Sequence, residues 1–172
     1  MKCVASWRMC QLIVHPPNCI IRLLGNFGFE GACLMHVHTP LCPGTGGEAT
    51  QQRLLRSSAM RLAGRNCDAK LTRQVVALDA FVDRIATWPR PIVVVETAHG
   101  AESIHSFGFP EHCDLLVGGE VRGVHPGILA ALRPGIDSVI YVPMAGFAKS
   151  MNVAAATCVA LYEHRRQHTC TA

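Results

Sequence analysis

The stretch Ser138-Val-Ile-Tyr-Val-Pro-Met-Ala-Gly-Phe-Ala-Lys-Ser-Met-Asn-Val-Ala-Ala-Ala-Thr-Cys-Val-Ala-Leu-Tyr-Glu163 decides the fold. Ser138 to Val142 is a β-rich apolar run and reads as a buried strand. Pro143 has no amide to donate and Gly146 loosens the backbone, so the strand cannot run on to Lys149. Ser150 stands where a helix N-cap belongs, ahead of an Ala-rich apolar run that ends in Glu163-His-Arg-Arg166. Strand, polar turn and capped helix form a natural ligand site in α/β proteins, because amides at the start of the helix lack partners within it.

The rest of the chain repeats the strand-and-helix theme. Cys10–His15 reads as a buried strand that Pro16-Pro17 ends. Ile20, Ile21, Leu23, Leu24 and Phe27 fall at helical spacing over 18–27, and Gly28 closes that helix. Gly31–Val37 is a second strand, so the first forty residues make a βαβ unit and argue for a parallel sheet. Residues 39–47 form a Pro- and Gly-rich loop, and 48–62 a helix made basic by Arg53, Arg56 and Arg61. Leu71–Ala77 reads as a short strand and Leu78–Ala86 as a helix closed by Trp88-Pro89. Pro91-Ile-Val-Val-Val-Glu96 is the clearest buried strand. Cys113–Gly119 is a further strand, and Pro126–Leu132 a short helix with proline in its first turn. No repeat or interdomain linker interrupts the series, so residues 1–172 are expected to form one α/β domain, a parallel sheet with helices on both faces.

Composition bounds the function loosely. Apolar residues make up 49% of the 172, which disfavours disorder. A net charge of +4 permits an anionic partner without requiring one. Nine cysteines, an odd number with no Cys-x-x-Cys, point to reduced thiols rather than a disulfide framework, hence a cytoplasmic or organellar compartment. No run is apolar and long enough to cross a bilayer, so no membrane partner is expected. Trp7, Arg8 and Gln11 interrupt any apolar leader; no signal peptide is expected, while a mitochondrial presequence stays open. Cys33, His36, His38 and Cys42 match no common zinc spacing, so no metal is expected. Gly44-Thr-Gly-Gly47 lacks the Lys-Ser/Thr of a P-loop.

Three motifs carry the chemistry. The first is Pro16-Pro-Asn-Cys-Ile-Ile-Arg22 with Asn26-Phe-Gly28, the second Gly118-Gly-Glu-Val-Arg-Gly123 with Ile128-Leu129, and the third Val142-Pro-Met144, Ser150-Met-Asn152 and Tyr162-Glu163. Taken singly each has a plain structural reading: a surface arginine whose stem packs on the core, a glycine turn, a helix cap. Together, in this order and spacing, they resemble the SpoU (TrmH-type) branch of the SPOUT RNA 2′-O-ribose methyltransferases, over roughly residues 10–167.

That resemblance implies a deep trefoil knot at the C-terminus, which general rules of chain topology would never suggest, and a homodimer. It implies S-adenosyl-L-methionine as cofactor and a ribose 2′-hydroxyl of tRNA or rRNA as acceptor. By resemblance, Arg22 contacts the ribose and Asn18 orients it, while Glu120 supports the glycine turn on the substrate side and Asn152 orders the site. A guanidinium is a poor base, so steadying the developing alkoxide is the easier role for Arg22. The cofactor falls to Glu96 through its backbone, to Gly118, Val142 and Met144, and to Ser150; glycine at 118 would let the backbone approach the ligand. Arg22, Lys149 and Tyr162 fall on the RNA side, and Arg65, Lys70 and Arg73 join the basic helix in facing phosphates. The short length leans toward the minimal tRNA wobble-nucleotide enzymes. Only Cys19-Ile-Ile21 separate Asn18 from Arg22, about two residues fewer than in close relatives and without their glycine. That shortening motivates an alternative: a catalytically silent knotted RNA-binding or assembly protein of the same fold.

Overall fold

The computed structural model describes residues 8–12, 31–38, 70–119, 123–148 and 150–168. Among them the strands are β1 (Arg8–Leu12), β2 (Gly31–His38), β3 (Lys70–Ala77), β4 (Ile92–Val95), β5 (Glu102–Ser103), β6 (Asp114–Val117) and β7 (Ser138–Tyr141). The helices are α1 (Leu78–Ile85), α2 (Pro126–Ala131) and α3 (Val153–His168). The strands form one sheet in the order β3-β2-β1-β6-β4-β7-β5, and every pairing is parallel, as the βαβ spacing implies. β5 is a two-residue strand, too short for any sequence periodicity to reveal. The helices expected over 18–27 and 48–62 lie outside the described residues.

Alternation along the central strands builds a core on each face. Ile92 and Val94 of β4 and Leu116 of β6 turn to one side, where Phe81 and Ile85 of α1 and Ile128 of α2 cover them. Val93, Leu115, Val117 and Ile140 turn to the other, under Val153, Ala160 and Leu161 of α3 and the rings of Phe107 and Phe109. Burial on both faces explains why Ile92–Val95 is an unbroken apolar run rather than an alternating one. The chain therefore crosses one face through α2 between β6 and β7 and returns over the other through α3. Consecutive strands β6 and β7 end up on opposite sides of β4.

A polar clamp closes the N-terminal ends of these strands. The Arg133 guanidinium donates to the carbonyls of Trp88 (2.6 Å) and Arg90 (2.7 Å) and forks onto Asp137 (2.9 and 2.7 Å). Asp137 also accepts from the Ile92 amide at 2.8 Å. Burial alone would raise the Asp137 carboxyl, but the bonds from Arg133 and from the two amides outweigh it and hold it below the usual carboxylate range. Buried Asp114 accepts from the Trp88 indole at 2.7 Å and faces Arg90 at 3.6 Å. With one end of the sheet locked, the ligand-accepting end of a parallel sheet is the other.

Helix α3 corrects the expected cap. Asn152, not Ser150, is the N-cap: its side-chain oxygen accepts from the amides of Ala154 (3.0 Å) and Ala155 (3.3 Å), and its carbonyl from Ala156 (2.9 Å). Asn and Ser cap equally well, and only Met151 separates them, so the sequence does not choose between them. The far end of α3 is fastened by Gln167, which donates to the Phe107 carbonyl (2.9 Å) and accepts from the Phe109 amide (2.8 Å). His164 is buried edge-on to Phe109. Its imidazole is pushed down to about 4, chiefly by burial, then by nearby His168; the backbone at Pro110 and Glu111 pulls the other way. Since the unfolded ring titrates near 6.5, the neutral folded ring adds stability that is complete above about pH 6.5 and lost as the pH falls toward 4. Urea unfolding midpoints should therefore drop between about pH 7.5 and about pH 5, and drop less in His164→Phe. Equal drops in both proteins would place the pH dependence elsewhere.

Candidate functional site

At the C-terminal ends of β4, β6 and β7 lies a cavity of about 430 Å³, with an adjoining lobe of about 90 Å³. Val95, Glu96, Thr97, Ser150, Met151 and Ala156 border both. Gly118, Gly119 and Gly123 wall the larger space, and Tyr141, Val142 and Met144 the smaller. Of the five residues expected to hold a cofactor, Glu96 and Ser150 border both spaces, Gly118 the larger, and Val142 and Met144 the smaller, although they span 55 positions of the sequence.

The glycine turn is built from within. Gly119 and Gly123 exchange backbone hydrogen bonds, Gly119 N–H to the Gly123 carbonyl at 3.1 Å and Gly123 N–H to the Gly119 carbonyl at 2.8 Å. A Cβ on Gly118 would collide with the Gly123 backbone and the Val124 amide. Closure of the turn therefore demands glycine at 118 in its own right. Gly123 adopts φ +63°, and a Cβ there would strike the Glu96 carboxylate.

Glu96 links this turn to the central strand. Its amide donates to the Ile140 carbonyl at 2.9 Å, extending the β4–β7 ladder. Its carboxylate accepts from the Val124 amide at 2.7 Å and the Thr97 amide at 3.0 Å. The Glu96 side chain thus sets the position of the glycine turn, while its backbone extends the central strand. The signal was absent from the sequence: the partner amide is 28 residues away.

Ser150, released from capping, stands exposed at the cavity rim. Asn152 does not line the space; its side chain orients α3 and, through it, Ser150 and Met151. Met151, Val153 and Ala156 are lining residues that motif reasoning passed over, and the small side chain of Ala156 one turn into α3 leaves room there. Tyr162 is exposed on α3 (60%), six residues past Ala156, or roughly 9 Å along the axis, and does not border the cavity. Asn18, Arg22, Glu120 and Lys149 lie outside the described residues. Among the described residues no group of three or more His, Cys, Asp or Glu could hold a metal ion, and no helix is long and apolar enough to cross a membrane. The cavity combines apolar walls, turn backbone, two hydroxyls and one carboxylate, which suits a small molecule bearing a flat apolar ring and a cationic centre.

Residues 10–162 match the family model described as the SpoU rRNA Methylase family. This chain belongs to the SpoU rRNA methylase family. Among its relatives, a 23S rRNA (uridine(2479)-2′-O)-methyltransferase of Streptomyces viridochromogenes is 40% identical over 78 residues, 45% of this chain and 26% of that enzyme. The crystal structure of the SpoU methyltransferase AviRb from Streptomyces viridochromogenes, in complex with AdoMet, superposes with a TM-score of 0.67 at 22% identity, covering 97% of this chain and 62% of AviRb. A structure solved for the 2-OH methylation of C/U34 on tRNA superposes with a TM-score of 0.61 at 22% identity, covering 96% of this chain and 98% of the other. The chain therefore matches about a quarter of the length of the Streptomyces 23S rRNA enzyme in sequence, and in fold 62% of AviRb and nearly all of the tRNA-methylation protein.

The Glu96–Gly123 contact makes a stability forecast. Glu96→Ala should cost about 1–3 kcal/mol, since it strips the acceptor from a buried amide. Gly123→Ala should cost about 1–2 kcal/mol for its left-handed backbone, plus the collision with the carboxylate. In urea titrations the double variant should lose less than the sum, by at least about 0.5 kcal/mol, because the collision disappears with Glu96. Strict additivity would mean that the two residues do not touch.

Proposed function

We propose that this chain transfers the methyl group of S-adenosyl-L-methionine to a ribose 2′-oxygen of tRNA or rRNA. The observation that carries the reading is that Glu96, Gly118, Val142, Met144 and Ser150 line two adjoining cavities beyond the strand ends, with Glu96 and Ser150 bordering both. Membership in the SpoU family supports it, as does an AdoMet complex of the same fold.

The residues suit the cofactor. Val95, Val117, Leu129 and Ala156 offer apolar walls to an adenine ring, glycine backbone lies open on one side, and a carboxylate fits a sulfonium cation. The bound sulfonium supplies an activated methyl group, which needs no metal. The chain's share is alignment of the hydroxyl and stabilisation of the oxyanion as its proton leaves. We assign Arg22, oriented by Asn18, to the ribose oxygen and its neighbouring phosphate, and Glu120 to the substrate edge of the glycine turn. Asn152 acts indirectly, by setting the start of α3. Lys149, Arg22 and Tyr162 complete the RNA side.

The knot and the dimer belong to the same proposal. Family membership supports both. Ala155 and Val159 leave exposed apolar surface on α3 that a second copy would cover.

Calorimetry with S-adenosyl-L-methionine and mapping of 2′-O-methyl sites on tRNA and rRNA test the reading. Cofactor binding and methyl transfer are expected for the native chain. Ser150→Ala should weaken cofactor binding roughly tenfold, the worth of one good hydrogen bond. Arg22→Ala should abolish methyl transfer and leave cofactor affinity unchanged. Absence of cofactor binding in the native chain would favour the silent RNA-binding alternative, to which the short Asn18–Arg22 spacing lends weight.

A further inference from the structure

Met144 borders the smaller lobe and Ser150 borders both. Ala145, Gly146, Phe147 and Ala148 are all exposed. Phe147 is the extreme case: its relative exposure is 108%, so its ring touches essentially nothing. A Cβ on Gly146 would meet nothing within 4 Å, so the neighbouring backbone is open as well. A single large ring among three small residues, carried on a segment whose two ends both border the cavity, is a presented group and not a packed one.

We infer that Phe147 is a stacking platform for a nucleobase of the RNA substrate, at or beside the nucleotide whose ribose enters the cavity. Sequence-specific RNA recognition favours splayed single-stranded bases laid on aromatic side chains, and every base has a face that such a ring can cover. Within a single copy of the chain the ring contributes no packing, so the stability of that copy gives no reason for an aromatic residue at 147. Lys149 follows two positions later in the sequence, in keeping with a polyanionic occupant. The platform would act as a positioning residue: it fixes the base, and through it the ribose, relative to Ser150 and Met151. This assignment rests on the proposed RNA 2′-O-methyl transfer, and goes beyond it in naming how the nucleotide is held.

The test uses the full chain with Phe147→Ala, Phe147→Leu and Phe147→Trp. Fluorescein-labelled bulk tRNA and bulk rRNA fragments serve as probes in anisotropy titrations, beside cofactor calorimetry, sedimentation and methyl-transfer kinetics. Phe147→Ala should weaken affinity for one of the two RNA classes about tenfold, the scale of one lost base stack, and raise KM for it more than it lowers kcat. Phe147→Trp should restore affinity, and Phe147→Leu, apolar but without a π-face, should not. Cofactor affinity and unfolding midpoint should stay at native values in all three.

Unchanged RNA affinity in Phe147→Ala, or rescue by leucine as full as by tryptophan, overturns the platform while leaving methyl transfer by the native chain intact. Conversion of a native dimer into monomers by Phe147→Ala overturns it too, and gives the ring to a second copy. A native chain that binds no cofactor, but whose RNA affinity still depends on an aromatic ring at 147, sinks the enzymatic reading and keeps the platform. A native chain with no RNA affinity sinks both.

Discussion

Two hydrogen bonds to one carboxylate hold the candidate site together. Glu96 ends the central strand, and its oxygens receive the amides of Thr97 and Val124. The second of these draws the glycine turn after β6 onto the end of β4. Gly123 has no Cβ because the carboxylate occupies that place, and Gly118 has none because Gly123 occupies its place. One acidic side chain and three glycines thus form a nested wall that a cavity can lean on. A charge-assisted bond to backbone amides is strong enough to keep such a turn closed without large side chains, which would fill the space it borders.

The other end of the central strands is closed. Arg133 and Asp137 tie the opposite ends of the central strands and the Trp88–Arg90 segment into one hydrogen-bonded unit. Cores on both faces hold β4 between β6 and β7. α3 leans on one face by Val153, Ala160 and Leu161 and is fastened at its far end by Gln167. Asn152 starts it at a defined residue. The position of Ser150 follows from these constraints: it lies two residues before the cap, free of helix bonds, beside the cavity.

Much of this was legible from residue patterns. A continuous run such as Ile92–Val95 is what double burial requires, and strand spacing announced a parallel sheet. The motifs named five residues, Glu96, Gly118, Val142, Met144 and Ser150, that line two adjoining cavities. What escaped had physical reasons. Ser150 and Asn152 cap equally well, so only the observed bonds choose between them. The Glu96 side chain acts on an amide far along the chain, and no local pattern records such a contact. β5 is shorter than any periodicity. Asn18, Arg22, Glu120 and Lys149 belong to stretches beyond the described residues, so for them the motifs speak alone.

A crystal structure of the full chain with S-adenosylhomocysteine tests the central claim most directly, that the space walled by Glu96, the glycine turn and Ser150 is a cofactor site. The nucleoside is expected between Gly118 and Ser150, with the Val124 amide still bonded to Glu96. A ligand bound elsewhere, or a complex in which Glu96 has let go of the glycine turn, would contradict the account.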